Sequence, residues 1–444
     1  MGNPSHVIVL MFENRSFDHL LGFLPGVGDL TGDEFNRVDP ANPESARVGV
    51  TNAAGPITTV DPGHAFLDTN LQLFGGGPPT NPAPMSGFVA DYLKDAGGNL
   101  EVAKTIMECH APESVPVLSA LARSYCVCTR WFSSVPGPTW PNRFYVHAAT
   151  SAGLVIDDHP DPTLTTIQGR LAAKDRTWRV YAGDIPQCLA IEGLFKQFVE
   201  DLLDPFGYHH FHALGRLFDD LKRGSLPSYA FIEPSYFETS AGHATDEHPP
   251  HDIRYGEALL STVASSLAAS DHWDESVLVV LYDEHGGFYD KVSPPVGVPN
   301  PDGRDSVNPS FDFTRLGVRV PAVLVSPFVE PATVDSTVYE HASIPATLNR
   351  IFDLGANSFL TRRDAAANTF ERNFRRASAR PGQELVAASA MVEGPKLEDI
   401  SALDLSPRRA IELVLKELAA PKNPLSSHQQ TLIDLVRSAL PRLP

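Results

Sequence analysis

The sequence predicts an α/β protein with a mostly parallel central sheet flanked by helices, and three observations lead there. Two apolar runs, Val7–Phe12 and Val277–Tyr282, are too short to span a membrane and show no alternation, as in strands buried on both faces. Strand-like and helix-like segments alternate along the chain, the pattern of strand–helix–strand units. Both runs end in oxygen-bearing side chains, Glu13-Asn14 and Asp283-Glu284. Open α/β sheets collect ligands at the carboxyl ends of their strands.

The elements follow in order. After the first strand, Pro, Gly and Asn are scattered from Pro25 to Pro62, and a second Gly- and Pro-rich loop runs from Gly75 to Pro84. Val117, Leu118 and Leu121 share one face of a helix expected over Pro112–Tyr125. Val127–Phe132 reads as a strand, runs into Val135–Arg143, and a helix can restart from Arg143 to Thr150. Trp178–Ala182 and Tyr229–Ile232 are short strands, with helices near Ile191–Leu203 and His212–Lys222 between them. Ala258, Leu259, Val263 and Leu267 fall at helical spacing in a helix of about Ile253–Ser270. A Pro-rich loop, Ser293–Ser310, precedes a strand at Ala322–Val325 and a helix near Ile344–Phe352. Residues 1–355 thus form one expected catalytic domain. Residues 356–444 form a helical carboxyl-terminal extension packed on it, with amphipathic helices at Pro407–Leu418 and Ser427–Leu440.

Composition narrows the function. With 444 residues, 42% hydrophobic and 20% charged, the chain can bury a large core as a soluble globular protein. A formal net charge of −19 argues against a nucleic-acid partner and against a basic patch docked on anionic lipid. A phosphate ester would be repelled by that charge, so a local cation would have to reverse the sign at the site. Four cysteines make no disulfide framework, and Cys126 and Cys128 read as buried packing. The opening apolar run lacks a basic segment before it and a small-residue cleavage site after it, so no signal peptide is visible. As given, the chain reads as cytoplasmic, or as secreted or periplasmic if a leader has been removed. No transmembrane segment is expected, and the oligomeric state is left open.

Parallel strands place their carboxyl ends on one edge, so Glu13, Asn14, Asp283 and Glu284 can converge with Thr139 of Gly137–Arg143. Carboxylate, amide and hydroxyl oxygens without thiolate suit Mg²⁺, Ca²⁺ or Mn²⁺ better than a Cys/His zinc site, although carboxylates do not exclude zinc. Pro138 and Pro141 stiffen the backbone around Thr139 and Gly137 allows close approach. A hydroxyl beside a divalent cation ionises more easily. Alone, Pro-Thr-Trp-Pro also reads as a rigid turn. His64, His248 and His285 each sit in a Gly- or Pro-bearing loop. Imidazole there can donate to phosphoryl oxygens or protonate a leaving alkoxide, while any one of 16 histidines can equally be structural.

ENRSFDH (Glu13–His19), DPGH (Asp61–His64), GPTWPNR (Gly137–Arg143), EHPP (Glu247–Pro250), DEHGGFYD (Asp283–Asp290), GVRVPAVLVSP (Gly317–Pro327) and HASIPATL (His341–Leu348) together resemble the bacterial phosphoesterase family. That family contains phosphatidylcholine-hydrolysing phospholipases C and a class of acid phosphatases. The resemblance covers about residues 5–355, with the motifs in order. It implies an alkaline-phosphatase-like core, one divalent metal ion held by Glu13, Asn14, Asp283 and Glu284, and a hydroxyl nucleophile at Thr139 that also contacts the metal. His64, His248 and His285 would contact the phosphoryl group or serve the leaving group, with His341 open to a structural role. The implied substrate is a phosphate ester, a phospholipid head group among the options. The implied reaction is phospholipase C-type hydrolysis through a covalent phosphothreonine, with an acid phosphatase as the alternative and a phosphate-binding pseudoenzyme as a distant one. A sulfatase would need a formylglycine made from Cys or Ser, which Thr139 cannot supply. The chain ends in short helices where the larger phospholipases carry β-rich extensions.

Overall fold

The computed structural model describes residues 4–160, 164–204, 209–240, 242–382, 407–417, 425 and 427–439. Its strands in chain order are β1 (His6–Phe12), β2 (Phe35–Arg37), β3 (Arg47–Gly49), β4 (Cys126–Cys128), β5 (Trp131–Phe132) and β6 (Trp178–Ala182). They continue with β7 (Phe211–Ala213), β8 (Tyr229–Glu233), β9 (Ser276–Tyr282), β10 (Ala322–Val325), β11 (Thr333–Asp335) and β12 (Tyr339–Glu340). Eight of them form one sheet in the order β11-β4-β10-β9-β1-β8-β6-β7. Only β10 runs antiparallel to its neighbours, β9 and β4, so the sheet is mostly parallel as expected.

β1 lies at the centre, parallel to β9 on one side and β8 on the other. Val7 to Phe12 are buried, which is why the run shows no polar alternation. The register pairs Phe12 with Tyr282, so Glu13-Asn14 and Asp283-Glu284 leave the sheet side by side. Helix Ile253–Ala268 buries Leu259, Val263 and Leu267 in the same core as β1, β8 and β9. Ile411, Val414, Leu432, Ile433 and Val436 of the last two helices are buried in that core as well. Leu418 and Leu440, expected to end those helices, lie outside the described residues.

Several local expectations are corrected. Val127–Phe132 is not one strand: β4 joins the main sheet, and β5 pairs with β12 in a separate two-stranded sheet. The helix expected to restart at Arg143 begins at Thr139 and runs to Ala148. Pro141 is tolerated because it falls in the first turn, where backbone N–H groups have no intrahelical acceptor. The segment taken as one helix from His212 splits into β7 and a helix at Gly215–Arg223. Helices at Phe66–Phe74 and Phe88–Asp95 occupy a region where none was expected. The Gly75–Pro84 loop, the Ser293–Ser310 loop with Phe311–Arg315, and helix Phe66–Phe74 line a cavity of about 630 Å³ that includes Leu67, Asn70, Gly77, Val296 and Arg315.

A buried ion cluster locks the sheet edge. The Arg319 guanidinium donates to Asp290 Oδ1 at 2.9 Å and Asp18 Oδ1 at 2.8 Å. It thereby ties the short helix after β1 (Phe17–Leu21), the loop after β9 and the approach to β10. Replacing Arg319 with Met strands two buried carboxylates. Arg319→Met should lower stability in a denaturant titration by about 3–5 kcal/mol. An unchanged midpoint would show that the cluster is dispensable.

Candidate active site

The site is built where β1, β8 and β9 end. Asn14 stands in the left-handed region at φ 57°, which Asn tolerates better than most residues. Its backbone N–H donates to Asp283 Oδ1 at 3.1 Å, and Arg15 N donates to the Glu284 carbonyl at 3.1 Å. Gly286, at φ 62°, packs so close to Asn14 that a Cβ there would overlap its carbonyl. The two acidic strand ends are therefore stitched together by backbone.

Thr139, fully buried, is the first residue of its helix. Asn142 holds the preceding turn: its Nδ2 donates to the Gly137 and Pro138 carbonyls, at 2.9 and 3.0 Å, and its Oδ1 accepts from Val135 N at 3.0 Å. Arg143 lies one turn beyond Thr139 on the same helix face. Its Nε donates to Asp283 Oδ2 at 3.0 Å and its Nη2 to Glu13 Oε1 at 3.3 Å; Nη1 lies 3.6 Å from Glu233 Oε2. One guanidinium thus fastens the Thr139 helix to the ends of all three central strands. Gln187 donates to Glu13 Oε1 as well.

Four buried oxygens at this point have no hydrogen-bond partner among the described residues: Glu13 Oε2, Asn14 Oδ1, Thr139 Oγ1 and Glu284 Oε1. Such groups cost free energy unless something satisfies them. They come from four of the five expected ligands. Asp283 differs, since both its oxygens already accept hydrogen bonds, from Asn14 N, Glu284 N and Arg143. Among the described residues no three His, Cys, Asp or Glu side chains gather as a metal cage by themselves. A cation here would need the amide and hydroxyl oxygens too. The mixed, all-oxygen donor set fits a hard divalent ion.

The electrostatics agree with a deficit of positive charge. Burial, with Asp283 and Asp246 nearby, pushes Glu13 well above the usual carboxylate range against the pull of Arg143. Burial, with Glu284 nearby, likewise raises Asp283 to about 7. Burial would raise Glu284 too, but His64 and His285 outweigh it and hold it down.

The three expected histidines occupy different surroundings. His64 Nε2 lies 3.5 Å from Asn14 Nδ2, with Nδ1 against the Pro62 carbonyl at 2.8 Å. His248 meets His64 edge to face at 5.9 Å, and its Nε2 lies 3.9 Å from Asp61. Arg15 fixes the His248 loop by donating to the Glu247 carbonyl through Nε at 3.0 Å. His285 points elsewhere, with Nε2 on Gln72 Oε1 at 2.6 Å and Nδ1 3.3 Å from Glu284. His341 is buried between the Asp283 carbonyl and the Trp131 indole N–H, and burial lowers it to about 4, as in a structural role. Reasoning from the sequence assigned nothing to Arg143, Asn142 or Gln187. The first two lie inside GPTWPNR and could have been found there; Gln187 had no signal.

The model of the Phosphoesterase family matches residues 5–355. Over 386 residues the chain is 41% identical to non-specific phospholipase C6 of Arabidopsis thaliana, covering 82% of this chain and 71% of that protein. It is 26% identical over 418 residues to phospholipase C B of Mycobacterium tuberculosis, covering 83% and 77%. A solved protein of the alkaline phosphatase superfamily from Vibrio parahaemolyticus aligns at TM-score 0.34 and 13% identity, over 58% of this chain and 65% of that one. That likeness is too slight to add to the topology.

His64 yields a pH prediction for the metal-free protein. Burial alone would lower its pKa, but Glu284 and Asp61 outweigh burial and raise it to about 9. Its unfolded value is about 6.5. A raised pKa stabilises the fold fully below the unfolded value, and that contribution is lost as pH rises through the folded value. In chelator, stability should therefore fall between about pH 6.5 and 9. His64→Gln should flatten that limb, and an identical slope in both proteins would count against a protonated His64.

Proposed function

The chain belongs to the phosphoesterase family, as a hydrolase of phosphoric ester bonds, and from that premise we propose a metal-dependent phosphodiesterase of phospholipase C type. The observation that carries this reading is the set of partnerless buried oxygens on Glu13, Asn14, Glu284 and Thr139, with a hydroxyl among carboxylates at a helix start. Glu13, Asn14, Glu284 and Thr139 would hold one divalent ion, with Asp283 reaching it through lone pairs left over from its present hydrogen bonds. When bound, the ion supplies positive charge that favours the ionised threonine oxygen and offsets charge on the phosphoryl group.

Thr139 Oγ1 attacks phosphorus in line with the departing alcohol. The P–O bond to that alcohol breaks, a phosphothreonine forms, and the His64–His248 pair supplies the proton the alcohol takes away. The start of the Thr139 helix adds a favourable dipole for the phosphoryl oxygens. Water, giving a proton back to the His64–His248 pair, then displaces the Thr139 oxygen in the ionised form it began in, and the phosphate moiety leaves. His285 holds Glu284 in place, and Arg143 keeps the helix registered on the strand ends. The substrate is a phosphate ester, a phospholipid by the names of the relatives. An acid phosphatase would use the same groups and remains the second reading.

Thr139→Ala should reduce turnover by several orders of magnitude, as loss of a nucleophile does. Thr139→Ser, which keeps the hydroxyl, should retain measurable turnover. Two in-line displacements predict net retention at phosphorus with a chiral phosphate substrate; inversion would exclude the covalent step. Stripping the protein with a strong chelator should abolish hydrolysis and re-addition of a divalent ion restore it. Full activity in the stripped protein would remove the metal from the scheme.

A further inference from the structure

Asp157 takes no part in the reaction described above, yet it stands among the groups that do. It lies in the loop that follows the Thr139–Ala148 helix. Its Oδ1 accepts from Trp140 N at 2.8 Å, the backbone donor next after Thr139. The loop is braced on both sides. Val307 N donates to the Gly153 carbonyl at 2.9 Å, Ser151 Oγ to the Leu154 carbonyl at 2.7 Å, and His159 Nδ1 lies 3.2 Å from the Ala190 carbonyl. The residue is half-buried, and burial pushes its carboxyl up to about 6 against the Trp140 N–H and His64, so it is ionised at pH 8 and acts electrostatically on His64 and Glu284. Its contact with the Thr139 helix is direct, and the His64 loop and the strand end at Glu284 lie within electrostatic reach of it.

A helix start would by itself welcome an anion. Here a carboxylate already occupies one of its donors, beside the hydroxyl assigned to attack phosphorus. Its energetic effect depends on the charge of the incoming ester. At neutral pH a phosphomonoester carries about −1.5 to −2, while a simple phosphodiester carries a single negative charge. Coulomb repulsion is linear in charge, so the monoester is opposed about twice as strongly. In rate or affinity, which are exponential in energy, the monoester's penalty is then about the square of the diester's.

We infer that Asp157 is a specificity-determining residue, a fixed negative charge beside the phosphoryl position that makes the site prefer singly charged diesters over doubly charged monoesters. The inference rests on the phosphoesterase reading of Thr139. A purely structural alternative is that Asp157 only caps the helix. Asparagine separates the two, because its carbonyl oxygen still accepts from Trp140 N and only the charge is removed.

The test uses the full metal-loaded chain at pH 8, comparing wild type with Asp157→Asn on p-nitrophenyl phosphate and methyl p-nitrophenyl phosphate, which share a leaving group. Asp157→Asn should raise kcat/KM for the monoester by about tenfold and for the diester by about threefold, shifting their ratio by about threefold. Inhibition by inorganic phosphate should tighten by about tenfold. An unchanged ratio, or an equal fall on both substrates, would overturn the inference. Asp157→Ala, which removes the cap as well, should lower the thermal midpoint where Asp157→Asn does not. If wild type hydrolyses neither ester nor a phospholipid, the proposed reading of Thr139 fails instead. Calorimetric binding of inorganic phosphate then decides the charge effect, tighter binding to Asp157→Asn supporting it and equal affinity overturning it.

Discussion

The arrangement of this protein depends on Arg143, a buried guanidinium that touches the carboxylates at the ends of three adjacent strands. Gathering Glu13, Glu233 and Asp283 at one sheet edge is costly, because each carboxylate loses water and repels its neighbours. Burial would lower the Arg143 pKa, but Tyr236 and the carboxylates of Asp283, Glu13 and Glu233 together outweigh it and raise it further. Placed one helical turn beyond Thr139, it converts a charge requirement into a positional one. The hydroxyl cannot move from the strand ends without uncovering buried carboxylates. The same logic recurs nearby, where Arg319 serves Asp18 and Asp290.

That compensation is incomplete at the strand ends, and the incompleteness is informative. Arg143 satisfies one oxygen of Glu13 and one of Asp283, and leaves Glu13 Oε2 without a hydrogen-bond partner. A core selected for stability alone would not keep an amide, a hydroxyl and two carboxylate oxygens buried without hydrogen bonds. Backbone geometry is spent on the same place. Asn14 sits in the left-handed region and Gly286 allows Asn14 to come close. Local strain and unsatisfied groups at one point are what a binding site adds to a stable scaffold.

Much of this could be read along the chain. Val7–Phe12 and Val277–Tyr282 announced themselves as central strands because burial on both faces removes polar alternation, and they are neighbours. Glu13-Asn14 and Asp283-Glu284 were legible for the same reason, as oxygen donors directly after doubly buried strands. The helix start at Thr139 was not, because Pro141 two residues on reads as a breaker unless one knows that it falls in a first turn. Nor was the split of Val127–Phe132 between two sheets, since β-branched and aromatic content says nothing about which sheet a strand joins.

The sequence by itself determined the α/β class, the central strands and the chemical kinds of side chain at their ends, because periodicity and donor type are properties of neighbouring residues. Tertiary structure alone decided which of those groups meet. His64 and His248 meet each other, while His285 turns to Gln72 and Glu284, a difference no flanking residue encodes. Arg143 became the anchor, and Asp157 came to rest on Trp140, because contacts between distant segments are set by how helices and loops pack on the sheet. Donor chemistry is local, whereas hydrogen-bond partnership depends on three-dimensional distance.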